Sequence, residues 1–116
     1  MYLNNGEYGG TQFLDSTVLA EFTRCQFCEN DNRRGAGFDK PTGEDVGPSC
    51  NCVSMLSFGH TGFTGTIAWV DPEQDIVFIF LSNRTWPDAE NRKLIRMSTR
   101  TLIQEEIYNS LNTYTQ

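Results

Sequence analysis

At 116 residues the chain is one domain by length, with room for a modest core. A net charge of −6 excludes a nucleic-acid surface, which needs a basic stripe. No apolar run is long enough to cross a bilayer, and the first residues lack both the basic region and the apolar core of a signal peptide, so neither a nucleic-acid partner nor a membrane span is expected.

Met1 to Leu3 is a short apolar end stopped by Asn4-Asn5-Gly6. Tyr8-Gly9-Gly10 reads as a turn, because consecutive glycines allow positive φ. Asp15 is a suitable N-cap, and Val18, Leu19 and Phe22 then fall on one helical face, predicting a core-packing helix over 15–23. Residues 24–54 are rich in Gly, Asn, Asp, Pro and Cys, with turn signals at Asn30-Asp31-Asn32 and Pro41-Thr42-Gly43. Within them, Arg33-Arg34-Gly35-Ala36-Gly37-Phe38 has the composition of a short strand, and Arg33-Arg34 reads as a solvated pair. So long a loop in a compact domain is either functional or stapled.

The four cysteines, Cys25, Cys28, Cys50 and Cys52, bracket that loop as Cys-x-x-Cys and Cys-x-Cys. Four thiolates from two knuckles could hold a zinc, although the second pair is one residue shorter than the usual knuckle. Disulfides joining one pair to the other are the rival reading, natural in an exported protein. Plain thiols on two facing loops are the third. Spacing leaves the three open. Outside the zinc alternative no metal and no cofactor is expected.

From Met55 the pattern turns to strands, read at 56–61, 64–70 and 76–82. The run 57–70 gathers the only histidine, three glycines and four hydroxyl side chains. Asp71-Pro72-Glu73-Gln74-Asp75 is a turn, with Pro72 unable to donate to a ladder. Ile76 to Leu81 is apolar at every position, the mark of a strand covered on both faces, so the sheet is expected between two layers, one of which can lie outside this chain. Trp86-Pro87-Asp88 ends the sheet, and Asp88 can cap a first turn. Ile103, Ile107 and Leu111 recur at i, i+4 and i+8, with Tyr114 close behind, predicting a helix over 98–112, or starting nearer Ala89, with Glu105 and Glu106 toward solvent. Trp69 and Trp86 read as core or lid aromatics. The fold class is therefore α+β: an antiparallel sheet of three or more strands with a short N-terminal and a longer C-terminal helix, at least one helix packed on the sheet.

Leu3-Asn4-Asn5-Gly6-Glu7-Tyr8-Gly9-Gly10, then Phe58-Gly59-His60-Thr61-Gly62-Phe63-Thr64-Gly65, then Val77-Phe78-Ile79-Phe80-Leu81-Ser82-Asn83-Arg84 and Pro87-Asp88-Ala89, together resemble the C-terminal part of a serine β-lactamase-like, or penicillin-binding-protein-like, hydrolase module. The segments are similar to those of the module attached to family-three glycoside hydrolases in some Gram-negative bacteria. The resemblance implies a partial β-lactamase/transpeptidase-like fold, one domain over 1–116 that forms the C-terminal fragment of a larger serine hydrolase module, and a periplasmic or secreted bacterial parent acting on a small-molecule or peptide substrate.

That family's layout has an S-x-x-K motif supplying the nucleophile and its Lys, a Y-x-N or S-x-N motif, and a K-T-G strand. A hydroxyl is a weak nucleophile without a nearby base, and the tetrahedral oxyanion needs fixed N–H donors. No Ser in this chain is followed three residues later by Lys. Tyr2-Leu3-Asn4 and Ser49-Cys50-Asn51 spell the second motif by chance. Only the third motif is present, with His60 where Lys is usual, a variant that esterases and peptidases of the family tolerate. The resemblance assigns His60 and Thr61 to the cleft as catalytic residues, Gly62 to close backbone approach, and the Phe63 N–H to the oxyanion. The expected function is one cleft wall of a hydrolase, inactive alone and prone to dimerise or swap strands through its uncovered surface. The competing expectation is a small Cys-stapled domain, closed by zinc or disulfide, that binds a protein.

Overall fold

The computed structural model of the chain describes residues 1–30, 32–43 and 47–114, with side chains to 111. The Asp31 part of the turn at 30–32 and the Tyr114 side chain lie outside these. The arrangement is α+β, as expected. After a 3₁₀ turn at Tyr2–Asn4, β1 (Glu7–Tyr8) and β2 (Thr11–Gln12) form a small antiparallel hairpin. Its two-residue turn is Gly9-Gly10, with φ of 58° and 78°, both in the left-handed region that matches strand twist.

Helix α1 (Ser16–Thr23) starts where the cap requires: Asp15 accepts hydrogen bonds from the N–H groups of Thr17 and Val18. It is not the core helix that its apolar face predicts. Only Leu19 is buried, while Val18 and Phe22 are half exposed and, with Tyr2, Leu14 and Phe38, line an apolar cavity of about 200 Å³.

The main sheet has the order β3 (Phe58–Thr61), β4 (Ile67–Asp71), β5 (Ile76–Phe80), all antiparallel. Its register puts Gly59, Trp69 and Phe78 in one row and Thr61, Ile67 and Phe80 in another on the same face. Trp69, Ile67 and Phe78 form the core with Cys50, Val53 and Tyr108. Gly59 is required here: a Cβ on it would lie 2.3 Å from the Ala68 carbonyl oxygen and 2.4 Å from Trp69 Cε3.

The opposite face differs from the two-sided burial that the apolar run predicts. Val77, Ile79 and Leu81 are 51%, 61% and 78% exposed, and Phe78 alone of β5 is buried. Among the described residues, one covering layer is present and the other is not. Phe58 and Val70 on this second face are buried. Tyr2 and Phe38 pack edge-on against Phe58, with centroids at 6.1 and 5.1 Å.

The C-terminal helical region is two helices, α2 (Lys93–Arg96) and α3 (Thr99–Tyr114), broken at Ser98 with φ 50°. The buried stripe of α3 is displaced by one residue from the expected one. Gln104 and Tyr108 are buried, whereas Ile103, Ile107 and Leu111 are 38–45% exposed. Polar partners explain this. Gln104 Oε1 accepts the Cys50 N–H, and the Tyr108 hydroxyl donates to Asp71 Oδ2 at 2.8 Å. Apolar side chains in those places would leave a buried amide and a buried carboxylate short of partners, a heavier cost than half-exposing Ile.

Asp71 is fully buried and accepts four hydrogen bonds, from Ser54 N–H and Oγ, Tyr108 Oη and Glu73 N–H. Burial works to raise its pKa, but the bonds from Ser54, Tyr108 and Glu73 outweigh it and hold the carboxyl below its ordinary value.

Three expectations for 24–54 are corrected. Residues 33–38 are not a strand. The chain folds back through the Gly35 N–H on the Phe38 carbonyl and the Lys40 N–H on the Arg33 carbonyl, with Gly37 at φ 90°. Only Asp39 meets the sheet, exchanging both backbone bonds with Gly59 at 2.7 and 3.1 Å. The cysteines pair within each motif, Cys25 with Cys28 and Cys50 with Cys52, not across the loop. All four sulfurs are thus occupied, and the zinc alternative has no thiolate to use. Arg33 is not a solvated partner of Arg34: its guanidinium donates to the Pro41 carbonyl and to Cys28 Sγ, while Arg34 pairs with Asp39.

The loop is instead tied by Lys40. Its ammonium is buried and donates to the carbonyls of Thr23 and Leu56, at 3.0 and 2.9 Å. Burial, then the nearby Arg33 charge, lowers its pKa to about 8.

Candidate functional site

Strand alternation decides where the histidine goes. On β3, residue 60 shares the second face with Ala68 and Ile79, the face that α3 does not cover, and its ring is exposed. Its Nδ1 lies 2.7 Å from the Thr61 carbonyl oxygen. A carbonyl only accepts, so Nδ1 carries the proton, and in the neutral ring Nε2 is left with a lone pair free for a substrate or a proton relay.

Thr61 stands differently. Its side chain is half-buried on the face of Ile67 and Phe80, opposite His60, so the two side chains do not converge. Its backbone is better placed. Gly59 turns its N–H and C=O toward Asp39, on the side of β3 away from β4. Two residues on, the N–H and C=O of Thr61 point to that same side. Beyond Asp39 the edge has no further strand among the described residues.

Gly62 begins the turn to β4. Its N–H donates to the Thr66 carbonyl, and the Gly65 N–H donates to the Gly62 carbonyl. The close approach that requires glycine is to Thr66: a Cβ on Gly62 would lie on the Thr66 hydroxyl. Phe63 follows, its ring 75% exposed and its N–H donating to no protein group among the described residues. Thus His60, the Thr61 backbone and the Phe63 N–H lie within one short stretch at the open end of the sheet.

Neither near-miss motif joins them. Tyr2 spends its ring on Phe38 and Phe58, and Ser49 is buried. Ser57 is fully buried and accepts the Trp69 indole N–H at 3.0 Å. Trp69 is core, at 1% exposure, whereas Trp86 is 77% exposed.

Sequence reasoning missed the supports of the turn. The Thr64 carbonyl accepts the Arg84 N–H at 2.9 Å and the Ser82 hydroxyl at 3.1 Å. The Arg84 guanidinium lies 4.8 Å from the centroid of the Phe63 ring, and its Nη1 donates to the carbonyls of Ala89 and Asn91. Arg100, on the first turn of α3, donates from Nη1 to the carbonyls of Gly65 and Thr66, at 3.3 and 3.2 Å. Burial, and then the Arg84 charge, lowers the Arg100 pKa. No spacing rule links 84 or 100 to 63–66. The one sequence signal is an arginine four residues after the last strand.

A family model described as Beta-lactamase matches residues 10–100. Proteins named as candidate D-alanyl-D-alanine carboxypeptidases from Salmonella typhi, Salmonella newport and Salmonella enteritidis are each 30% identical over 119 aligned positions. The alignments cover 94% of this chain and 27% of each relative, so the chain spans about a quarter of the length of the curated proteins it matches.

Proposed function

Because this chain belongs to the β-lactamase family, we propose that it is the C-terminal portion of a serine hydrolase acting on an ester, amide or peptide, and that it supplies the H-T-G wall of the cleft. The observation that carries this reading is the pairing of an exposed His60, its Nδ1–H held by the Thr61 carbonyl, with an unclaimed N–H on Phe63. His60 lies on β3 and Phe63 in the turn that follows it.

In this reading the nucleophilic serine and its lysine come from outside these 116 residues. The serine oxygen bonds to the substrate carbonyl carbon as its proton passes to the base. The carbonyl π pair moves onto oxygen, and the Phe63 N–H is one of the donors that receive that oxyanion. Collapse expels the leaving group, which takes up a proton, and water then releases the acyl group by the same steps. His60 Nε2 accepts a hydrogen bond from the substrate or from the group that carries the proton. An extended substrate lies along the β3 edge, where the Thr61 N–H and C=O offer strand-like bonds.

An exported parent fits the two disulfides, since such bonds persist in oxidising compartments. No helix of the described residues is long and apolar enough to cross a membrane. The uncovered Val77, Ile79 and Leu81 favour association when this chain stands alone, so light scattering at high concentration is expected to give a mass above one chain.

The test uses nitrocefin, a p-nitrophenyl ester and a D-Ala-D-Ala peptide. This chain alone is expected to give background rates on all three. In the longer enzyme, His60→Ala is expected to lower kcat/KM by roughly 100-fold with an unchanged melting temperature. Turnover by the isolated chain that is abolished by a serine-directed inhibitor overturns the half-site reading. An unimpaired His60→Ala enzyme removes His60 from the cleft.

A further inference from the structure

We propose that Arg100 is a positioning residue for the oxyanion donor, acting through the turn that follows β3. The inference rests on the reading of the Phe63 N–H given above and goes beyond it, because it assigns a role to a side chain on a helix that touches no substrate.

Residues 63–66 are held one after another from behind. The Arg84 guanidinium lies over the Phe63 ring at 4.8 Å. The Thr64 carbonyl takes the Arg84 N–H and the Ser82 hydroxyl. The Gly65 and Thr66 carbonyls share Arg100 Nη1. A four-residue turn with a glycine at φ 94° has little rigidity of its own. The Phe63 N–H shares its peptide plane with the Gly62 carbonyl, which accepts the Gly65 N–H, while the Gly62 N–H donates to the Thr66 carbonyl, so Arg100, by holding the Gly65 and Thr66 carbonyls, holds the residues to which the Gly62–Phe63 peptide is tied. None of these bonds uses the Phe63 N–H, which is unclaimed among the described residues.

The choice of side chain is informative. Neither Arg84 nor Arg100 has a carboxylate within ion-pair distance among the described residues, and the Arg84 charge works against that of Arg100. Two cations brought together without a counter-ion are a cost that simple packing does not require. Arg100 offers a planar donor that bridges two adjacent carbonyls, a geometry that a single ammonium or an amide reproduces only in part. Its placement on the first turn of α3 ties the turn to the helix whose Gln104 and Tyr108 are anchored in the core.

The experiment uses the longer hydrolase with Arg100→Leu, Arg100→Lys and, as a control on the cleft itself, His60→Ala. Steady-state kinetics, affinity for an arylboronic acid that becomes tetrahedral on the serine, and amide hydrogen exchange are measured on each. For Arg100→Leu, kcat is expected to fall roughly 10- to 100-fold with KM within about 2-fold, because the donor is used in the transition state. Boronate affinity falls by the same factor, partial recovery is seen in Arg100→Lys, and exchange rises at 62–66 while the amides of Trp69 and Phe78 are unchanged. Normal kcat in Arg100→Leu beside an impaired His60→Ala overturns the positioning role and leaves the cleft reading standing. Exchange raised across the whole sheet in Arg100→Leu and Arg100→Lys alike, with kcat and KM changing together, reduces Arg100 to a structural contact. An unimpaired His60→Ala removes the cleft reading, and this inference with it.

Discussion

The two ends of the three-stranded sheet are built on opposite plans. At the Asp71 end, one fully buried carboxylate gathers donors from the segment before β3, from the β4–β5 turn and from α3. At the Gly62–Thr66 end, arginines take backbone carbonyls from behind, and the front carries an exposed His60 and Phe63. The first plan converts three chain segments into one cooperative unit. The second fixes a short backbone while leaving its outward groups free for another molecule. The two plans are separated by the length of a five-residue strand, β4.

The strongest way to break this contrast is Asp71→Ala. It leaves the buried Tyr108 hydroxyl and the two Ser54 donors without their acceptor, and is expected to cost about 3 kcal/mol, read by urea unfolding. A loss under about 1 kcal/mol would show that the Asp71 end is not the anchor. Acid should reveal the same group. Its folded pKa is held below the ordinary value, so the unfolded chain takes up the proton first. The stabilisation is therefore complete above the unfolded pKa and is lost as pH falls through the folded one. Asp71→Asn should flatten that acid limb.

Gly59→Ala tests where the anchored region stops. The added carbon collides with the Ala68 carbonyl and the Trp69 ring, and overpacking there is expected to cost about 2 kcal/mol by thermal melting. A neutral substitution would mean that β3 already slackens one residue before His60.

Lys40 gives a smaller effect in the same direction of pH. Its folded pKa, about 8, lies below the ordinary lysine value of 10.5, so the unfolded chain binds more protons between the two. Stability should therefore rise as pH climbs from about 8. Near 10 the rise should reverse, because Tyr108, raised by burial and by Asp71, stays protonated in the fold while its unfolded counterpart ionises. Urea midpoints across this range, with Lys40→Met as the comparison, check both limbs. The smallest expected change is His60→Ala, within about 0.5 kcal/mol of the parent stability, since an exposed ring holds nothing but a neighbouring carbonyl.

Much of this organisation was legible in the sequence where one local rule decides the outcome. Asp15 caps α1, Gly9-Gly10 turns a hairpin, and alternation places His60 and Thr61 on opposite faces. Legibility failed where a buried polar group outbid apolar periodicity. The Ile103–Ile107 stripe pointed the C-terminal helix one residue away from the face that Gln104 and Tyr108 require. The all-apolar β5 reads as a strand covered on both faces, whereas Val77, Ile79 and Leu81 are exposed, because an apolar run carries no sign of which covering layer the same chain brings. The arginine supports of the turn were invisible because they depend on where α3 lands, a tertiary outcome with no local signature. For the cysteines, spacing left the partner choice open, and pairing within each motif was not among the arrangements it favoured.

That pairing has a consequence in polymer terms. Each bridge closes a ring only three or two residues long, so it removes few arrangements from the unfolded chain compared with a bridge spanning the loop. The chain between Cys28 and Cys50 remains topologically open: it is threaded through no covalent ring, and its ends are drawn together by contacts such as Lys40 on Thr23 and Leu56. Lengthening that stretch therefore stretches no crosslink.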